Sequence, residues 1–195
     1  APAVARAVDT VARAMALLGG AVLLMLAAML CLSVLGQGIE RLAYSDALTA
    51  RAPGVAQALQ ASGLRQIGGD FELVEAGLAF AVFAFLPLCQ LRSGHATVEV
   101  FTAPLGRRAN LWLRAFWEVV LALALCVVAW RLGAGTLDKA GNGQTTFLLQ
   151  FPVWWAYAAS LCAAAIAAAI AVWCAAVWLW RAARGVGDAD ADPVA

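Results

Sequence analysis

The chain has 195 residues and a formal net charge of +1; 64% of the residues are hydrophobic and 13% are charged. Soluble proteins carry about 25% charged residues, so this composition and the mean hydropathy of +0.84 predict an all-α, polytopic membrane protein surrounded by lipid. The balanced charge, without a basic cluster interleaved with aromatic residues, excludes a nucleic-acid partner.

The first apolar run, Ala14–Gly36, contains 23 residues and no charge. At about 1.5 Å per residue it extends over about 34 Å, which is enough to cross the hydrocarbon core. Gly19 and Gly20 belong to a small-residue face that allows another helix to approach closely. We predict a spanning helix over 14–36, preceded by a cytoplasmic N-terminus over 1–13.

The following polar segment, 37–70, predicts a loop with a short interfacial helix near 55–64. The second predicted span, 71–91, has Glu72 and Glu75 in its first turn, where acidic side chains suit the helix dipole. These glutamates are either a solvated helix start or a polar contact to other helices or to a partner subunit.

A polar turn then separates the two halves of the membrane domain, and it holds the only histidine of the chain. Its candidate residues are Arg92, Gly94, His95 and Glu99. They form either a plain polar helix end or a functional turn.

The third predicted span, 112–132, has to include two charged residues, because only 12 uncharged residues separate Glu118 from Arg131. A carboxylate at the centre of a bilayer costs about 2.5–3.5 kcal/mol, and less near a helix end. Arg114 lies one turn before Glu118 on the same helix face and is its expected partner. A local ion pair and a functional role both remain open for these two residues.

A glycine-rich turn from Gly133 onward is predicted before the fourth span, 152–180. Pro152 precedes an aromatic belt at Trp154, Trp155 and Tyr157, and Trp178 with Trp180 predicts a second belt at the other interface. The membrane domain is predicted to cover 14–185, and the cytoplasmic tail, 186–195, to be disordered.

Lysine and arginine counts predict that both termini are cytoplasmic. This orientation places eight basic residues inside and five outside. The inside set is Arg6, Arg13, Arg92, Arg107, Arg108, Arg114, Arg181 and Arg184; the outside set is Arg41, Arg51, Arg65, Arg131 and Lys139.

The sequence predicts no catalytic, cofactor-binding or metal-binding residues. The five cysteines are scattered singly through apolar runs, which indicates neither a disulfide framework nor a zinc site. Haem between spanning helices commonly needs two axial ligands, and the chain has one histidine. The residues alone therefore predict a non-enzymatic accessory subunit. A membrane anchor of a redox complex is the alternative.

Three stretches resemble the small membrane subunit of tripartite ATP-independent periplasmic (TRAP) transporters, the DctQ-like family. They are GDFELVE at 69–75, FLPLCQLRSGHATVE at 85–99 and QFPVWWAY at 150–157. The first resembles the family's acidic start of the second helix, the second its Arg-x-Gly-His turn, and the third its Pro-x-Trp-x-x-Tyr start of the fourth helix.

The resemblance implies a subunit of the bacterial inner membrane that scaffolds a large multi-span transport subunit. A periplasmic substrate-binding protein is the third component it implies, and an organic acid is the expected class of solute. Arg92, Gly94, His95 and Glu99 would then shape a cytoplasmic turn or a subunit contact. Gly94 would permit a backbone conformation that other residues resist, and His95 would cap backbone carbonyls.

Overall fold

The computed structural model describes residues 2–45, 50, 52–61, 68–92 and 107–184. Its helices are α1 (Pro2–Ala43), α2 (Pro53–Ala61), α3 (Asp70–Leu91), α4 (Arg107–Asn142) and α5 (Val153–Arg184). All except α2 are long and apolar enough to cross a membrane. The predicted all-α fold with four spanning helices is therefore confirmed.

Two helices, α1 and α4, extend well beyond the predicted spans. The helix α1 begins at Pro2 and so includes most of the segment predicted as the N-terminus. An ion pair of 2.7 Å between Arg13 and Asp9, one turn apart, stabilises this part of α1. The helix α4 extends well beyond 112–132 at both ends.

The predicted glycine-rich turn is wrong at its start, because α4 continues to Asn142. Gly133 and Gly135 lie inside the helix, where a Cβ atom at Gly135 would be 3.3 Å from the ring of Tyr157 on α5. These glycines thus let two helices approach each other. The turn begins at Gly143, whose φ of +60° suits glycine.

The long helices lie in the order α1, α3, α5, α4. The helix α3 packs between α1 and α5, and α5 packs between α3 and α4. Ala12 of α1, Leu91 of α3 and Cys174 of α5 belong to one buried cluster, so the start of α1 and the end of α5 are at the same end of the bundle. The inner faces consist largely of alanine, which brings the backbones close.

The short helix α2 packs against the end of α1. Ala56 and Ala43 are each 2% exposed, and Gln60 Nε2 donates a hydrogen bond of 3.0 Å to the Ala43 carbonyl. The prediction of a short helix between the first two spans is thus confirmed, with bounds shifted toward Pro53.

Gly19 is a point of close approach between α1 and α3. A Cβ atom at this position would lie 3.0 Å from Ala84 Cβ and 3.4 Å from the Ala81 carbonyl oxygen, whereas one at Gly20 would meet nothing within 4 Å. The predicted small-residue face therefore contributes one glycine to the contact and leaves its neighbour on the outside.

We expect Gly19→Val to lower the free energy of unfolding by about 1–3 kcal/mol, because the added methyl groups must push α3 away. Gly20→Val has the same change in helix propensity and volume, so it is the matched control and we expect a much smaller loss. Unfolding in mixed micelles, followed by circular dichroism, measures both. Equal losses would contradict the close approach at Gly19.

Candidate functional site: polar clusters at the two ends of the bundle

Polar side chains gather at both ends of α3. At the first end, the loop cluster consists of Glu72 and the backbone of the α4–α5 loop, residues 143–152. Glu72 Oε1 accepts a hydrogen bond of 2.7 Å from the Leu148 amide, and Oε2 accepts one of 3.0 Å from the Leu149 amide. A single carboxylate therefore holds two consecutive amides of a loop that is 76 residues further along the chain.

The loop itself is a compact reversal. The Thr146 amide donates to the Phe151 carbonyl at 2.9 Å, and the Val153 amide donates to the Gln144 carbonyl at 3.0 Å. Pro152 pairs with Thr145 in an isolated antiparallel bridge and directly precedes α5. Because proline has a fixed φ and no amide hydrogen, it suits the start of a helix.

A second carboxylate ties α1 to the start of α3. Ser33 Oγ, on a residue that is 1% exposed, donates a hydrogen bond of 2.5 Å to Asp70 Oδ2. Asp70 Oδ1 accepts from the Phe71 amide at 2.8 Å. We did not predict Asp70 or Ser33 as site residues, although an acidic side chain in the first turn of a helix suits the helix dipole.

We expect Glu72→Gln to accelerate amide exchange in the peptide 144–151 about tenfold. An amide side chain has one acceptor oxygen and no charge, so it cannot hold both amides through charge-assisted bonds. Glu40→Gln is the control, because it removes a carboxylate near the end of α1, outside the loop cluster. Hydrogen exchange with mass spectrometry measures the rates, and unchanged rates in Glu72→Gln would contradict this role.

At the other end, the tryptophan cluster consists of Gln90, Arg114, Glu118, Trp178 and Arg181. The guanidinium carbon of Arg114 lies 4.2 Å from the ring centroid of Trp178, and that of Arg181 lies 5.3 Å from it. Trp178 is 2% exposed, so it does not belong to a lipid-facing belt as predicted. It packs with Leu111, Ala115 and Ala182, while Trp180 remains 53% exposed.

Glu118 is buried within this cluster, at 6% exposure, and Gln90 Nε2 donates a hydrogen bond to its Oε2. The bond joins α3 to α4, across helices that otherwise pack through α5. A buried carboxylate needs such a donor, because an unpaired charge in a low-dielectric interior is costly. The predicted Arg114–Glu118 ion pair stays a prediction.

The remaining predicted site residues lie outside the two clusters. Glu75 and Arg92 are exposed, and the Arg92 amide closes α3 with a hydrogen bond of 3.0 Å to the Leu88 carbonyl. Trp154 is 38% exposed and meets Trp155 edge to face, with ring centroids 6.0 Å apart. Gly94, His95 and Glu99 lie outside the described residues, as does the predicted tail at 186–195.

Both polar clusters and three of the four long helices, α3, α4 and α5, fall within one family match, which begins after α1. The family model of the DctQ component of tripartite ATP-independent periplasmic transporters matches residues 54–184. The chain belongs to the DctQ family. No curated protein and no solved structure matches it significantly.

DctQ membership makes the chain a small membrane component of a TRAP transporter and confirms the resemblance found in its three motifs. It favours a transport system over the alternative of a redox anchor. Both clusters lie in the matched range, whereas Ser33, which donates to Asp70, lies before it. The polar contacts across the bundle are therefore made mainly by the DctQ region.

Proposed function

We propose that this DctQ protein is a non-catalytic scaffold for the large transport subunit of its TRAP system. The proposal rests on three carboxylates that hold separate segments of the chain together. Glu72, Asp70 and Glu118 each accept hydrogen bonds from another segment of the same chain. Carboxylates used in this way fix the positions of helices and loops, which is the task of a scaffold.

The two outer helices of the bundle, α1 and α4, present apolar surface to a partner. Leu17, Leu24 and Met25 of α1 are 74–76% exposed, and the outer face of α4 is similarly apolar. In the membrane such side chains face lipid or another subunit. We propose that the large subunit packs against one of these two faces, and that a periplasmic binding protein delivers the solute, of the organic-acid class, to the pair.

The distribution of basic residues supports an orientation in the membrane. We propose the bacterial inner membrane, with the start of α1 and the end of α5 at the cytoplasmic face, as the excess of basic residues there favours. The tryptophan cluster is then near the cytoplasm and the loop cluster near the periplasm.

Deletion and co-purification test the scaffold role. Without this chain we expect binding-protein-dependent uptake to stop, and we expect a tagged chain to co-purify with the large subunit. Trp178→Ala should lower complex yield and maximal uptake in proportion while the apparent solute affinity stays constant, because a scaffold does not touch the solute. Trp180→Ala is the matched control. Uptake that persists after deletion, or an altered affinity at normal complex yield, would contradict the proposal.

A further inference from the structure

A cavity of about 480 Å³ opens between α3, α4 and α5, beside the loop cluster. Its volume lies in the range of about 300–1,000 Å³ that is typical of ligand pockets. Its lining is charged and polar at the end beside the loop, here called the mouth, and mainly apolar further along the helices. Glu75, Lys139 and Thr146 line the mouth, and Ala79, Phe83 and Ser160 are among the residues that line it further along α3 and α5.

The interior holds a polar group without a partner. Ser160 is 3% exposed, and its hydroxyl makes no hydrogen bond within the part of the chain that the structure describes. Ser160 is seven residues after Val153, so it lies about 10 Å of helix below the loop. Buried hydroxyls are almost always satisfied, so this one points to a ligand that offers an acceptor at that depth.

The charges at the mouth select the kind of headgroup. Among the residues that line the cavity, two are carboxylates, Glu72 and Glu75, and one is an ammonium, Lys139, so negative groups outnumber positive ones. Glu72 is engaged by the loop amides, whereas Glu75 is exposed and has no hydrogen bond or ion pair among the described residues. Such a mouth favours a ligand with its own cation over a purely anionic one.

We propose that the cavity binds one phospholipid with a primary-amine headgroup, of the phosphatidylethanolamine type. The ammonium donates to Glu75, Lys139 pairs with the phosphate, and Ser160 donates to an ester carbonyl. One acyl chain then lies against Ala79 and Phe83. A primary ammonium fits better than a choline group, because only the former has N–H donors for the carboxylate.

Native mass spectrometry of the purified 195-residue chain tests this proposal with three lipids of identical acyl chains, carrying ethanolamine, choline or glycerol headgroups. We expect the ethanolamine lipid to be retained about five- to tenfold more strongly than the other two, the effect of one charge-assisted hydrogen bond. Glu75→Gln should reduce its retention to the level of the choline lipid. Glu40→Gln removes a carboxylate elsewhere on the same chain and should leave the preference unchanged.

Ser160 provides a second, independent readout. Ser160→Leu fills the cavity and should abolish the preference. Ser160→Ala should unfold no earlier than wild type in lipid-free detergent, since it removes an unsatisfied hydroxyl, and should lose part of the stabilisation that the ethanolamine lipid gives. Equal retention of the three lipids, a preference for the glycerol lipid, or a preference unaffected by Glu75→Gln would overturn the proposal. So would loss of the lipid when the chain is bound to its membrane partner.

Discussion

Trp178→Ala is expected to lower the free energy of unfolding by about 3–5 kcal/mol, the largest effect of any single substitution considered. The side chain is the largest that is fully buried in the described part of the chain. Its removal leaves a cavity between α4 and α5 and takes the aromatic face away from Arg114 and Arg181. Unfolding in mixed micelles, followed by circular dichroism, measures the loss.

The matched control is Trp180→Ala, two residues further along the same helix. Trp180 is 53% exposed and has Arg184 at 4.2 Å from its ring centroid, so its removal should cost about 1 kcal/mol or less. Trp178→Phe should recover part of the loss because it keeps an aromatic face. Similar losses in Trp178→Ala and Trp180→Ala would show that burial of Trp178 does not stabilise the bundle.

Gln90→Leu is expected to cost about 2–3 kcal/mol, although leucine is similar in size and more apolar. The substitution removes the amide donor and leaves the buried Glu118 carboxylate without that hydrogen bond. Leucine at this buried position adds no unsatisfied polar group of its own, so a loss of stability reports the lost polar contacts of Gln90. The same unfolding measurement detects it.

A double-mutant cycle tests whether the charge of Glu118 causes the loss. Glu118→Gln keeps an acceptor oxygen for Gln90 and removes the charge, so Gln90→Leu should cost only about 1 kcal/mol in that background. The expected coupling is therefore about 1–2 kcal/mol. Additive effects of the two substitutions would show that the charge of Glu118 does not cause the loss.

The membrane-spanning architecture was predictable because long apolar runs have few alternatives in lipid. A run such as Ala14–Gly36 must be helical, since every backbone group has to be paired within the segment. The ends of the helices were less predictable. Residues 2–13 continue α1 through local pairs such as Asp9 with Arg13, and glycines at 133 and 135 continue α4 because they face Tyr157 and Leu161.

The polar contacts were likewise predictable only in part. Glu72 stood out as a candidate because it is acidic and near a helix start, but its partners are backbone amides, which have no signature in the sequence. Trp178 and Trp180 look alike as a pair before two arginines, yet one is buried and the other exposed. Glu118 was expected to meet Arg114 one turn away, and its hydrogen bond to Gln90 comes from a different helix.

The sequence by itself determined the fold class, the four spanning segments and, through its three motifs, the DctQ family. Only the tertiary structure decided which face of each helix is inward, which tryptophan is buried and which carboxylate holds which segment. The physical reason is that a helix in lipid is apolar on every side, so no amphipathic pattern marks its inner face. The inward face is set by close approach between helices, as between Gly19 and Ala84. Such contacts exist only once the helices are packed.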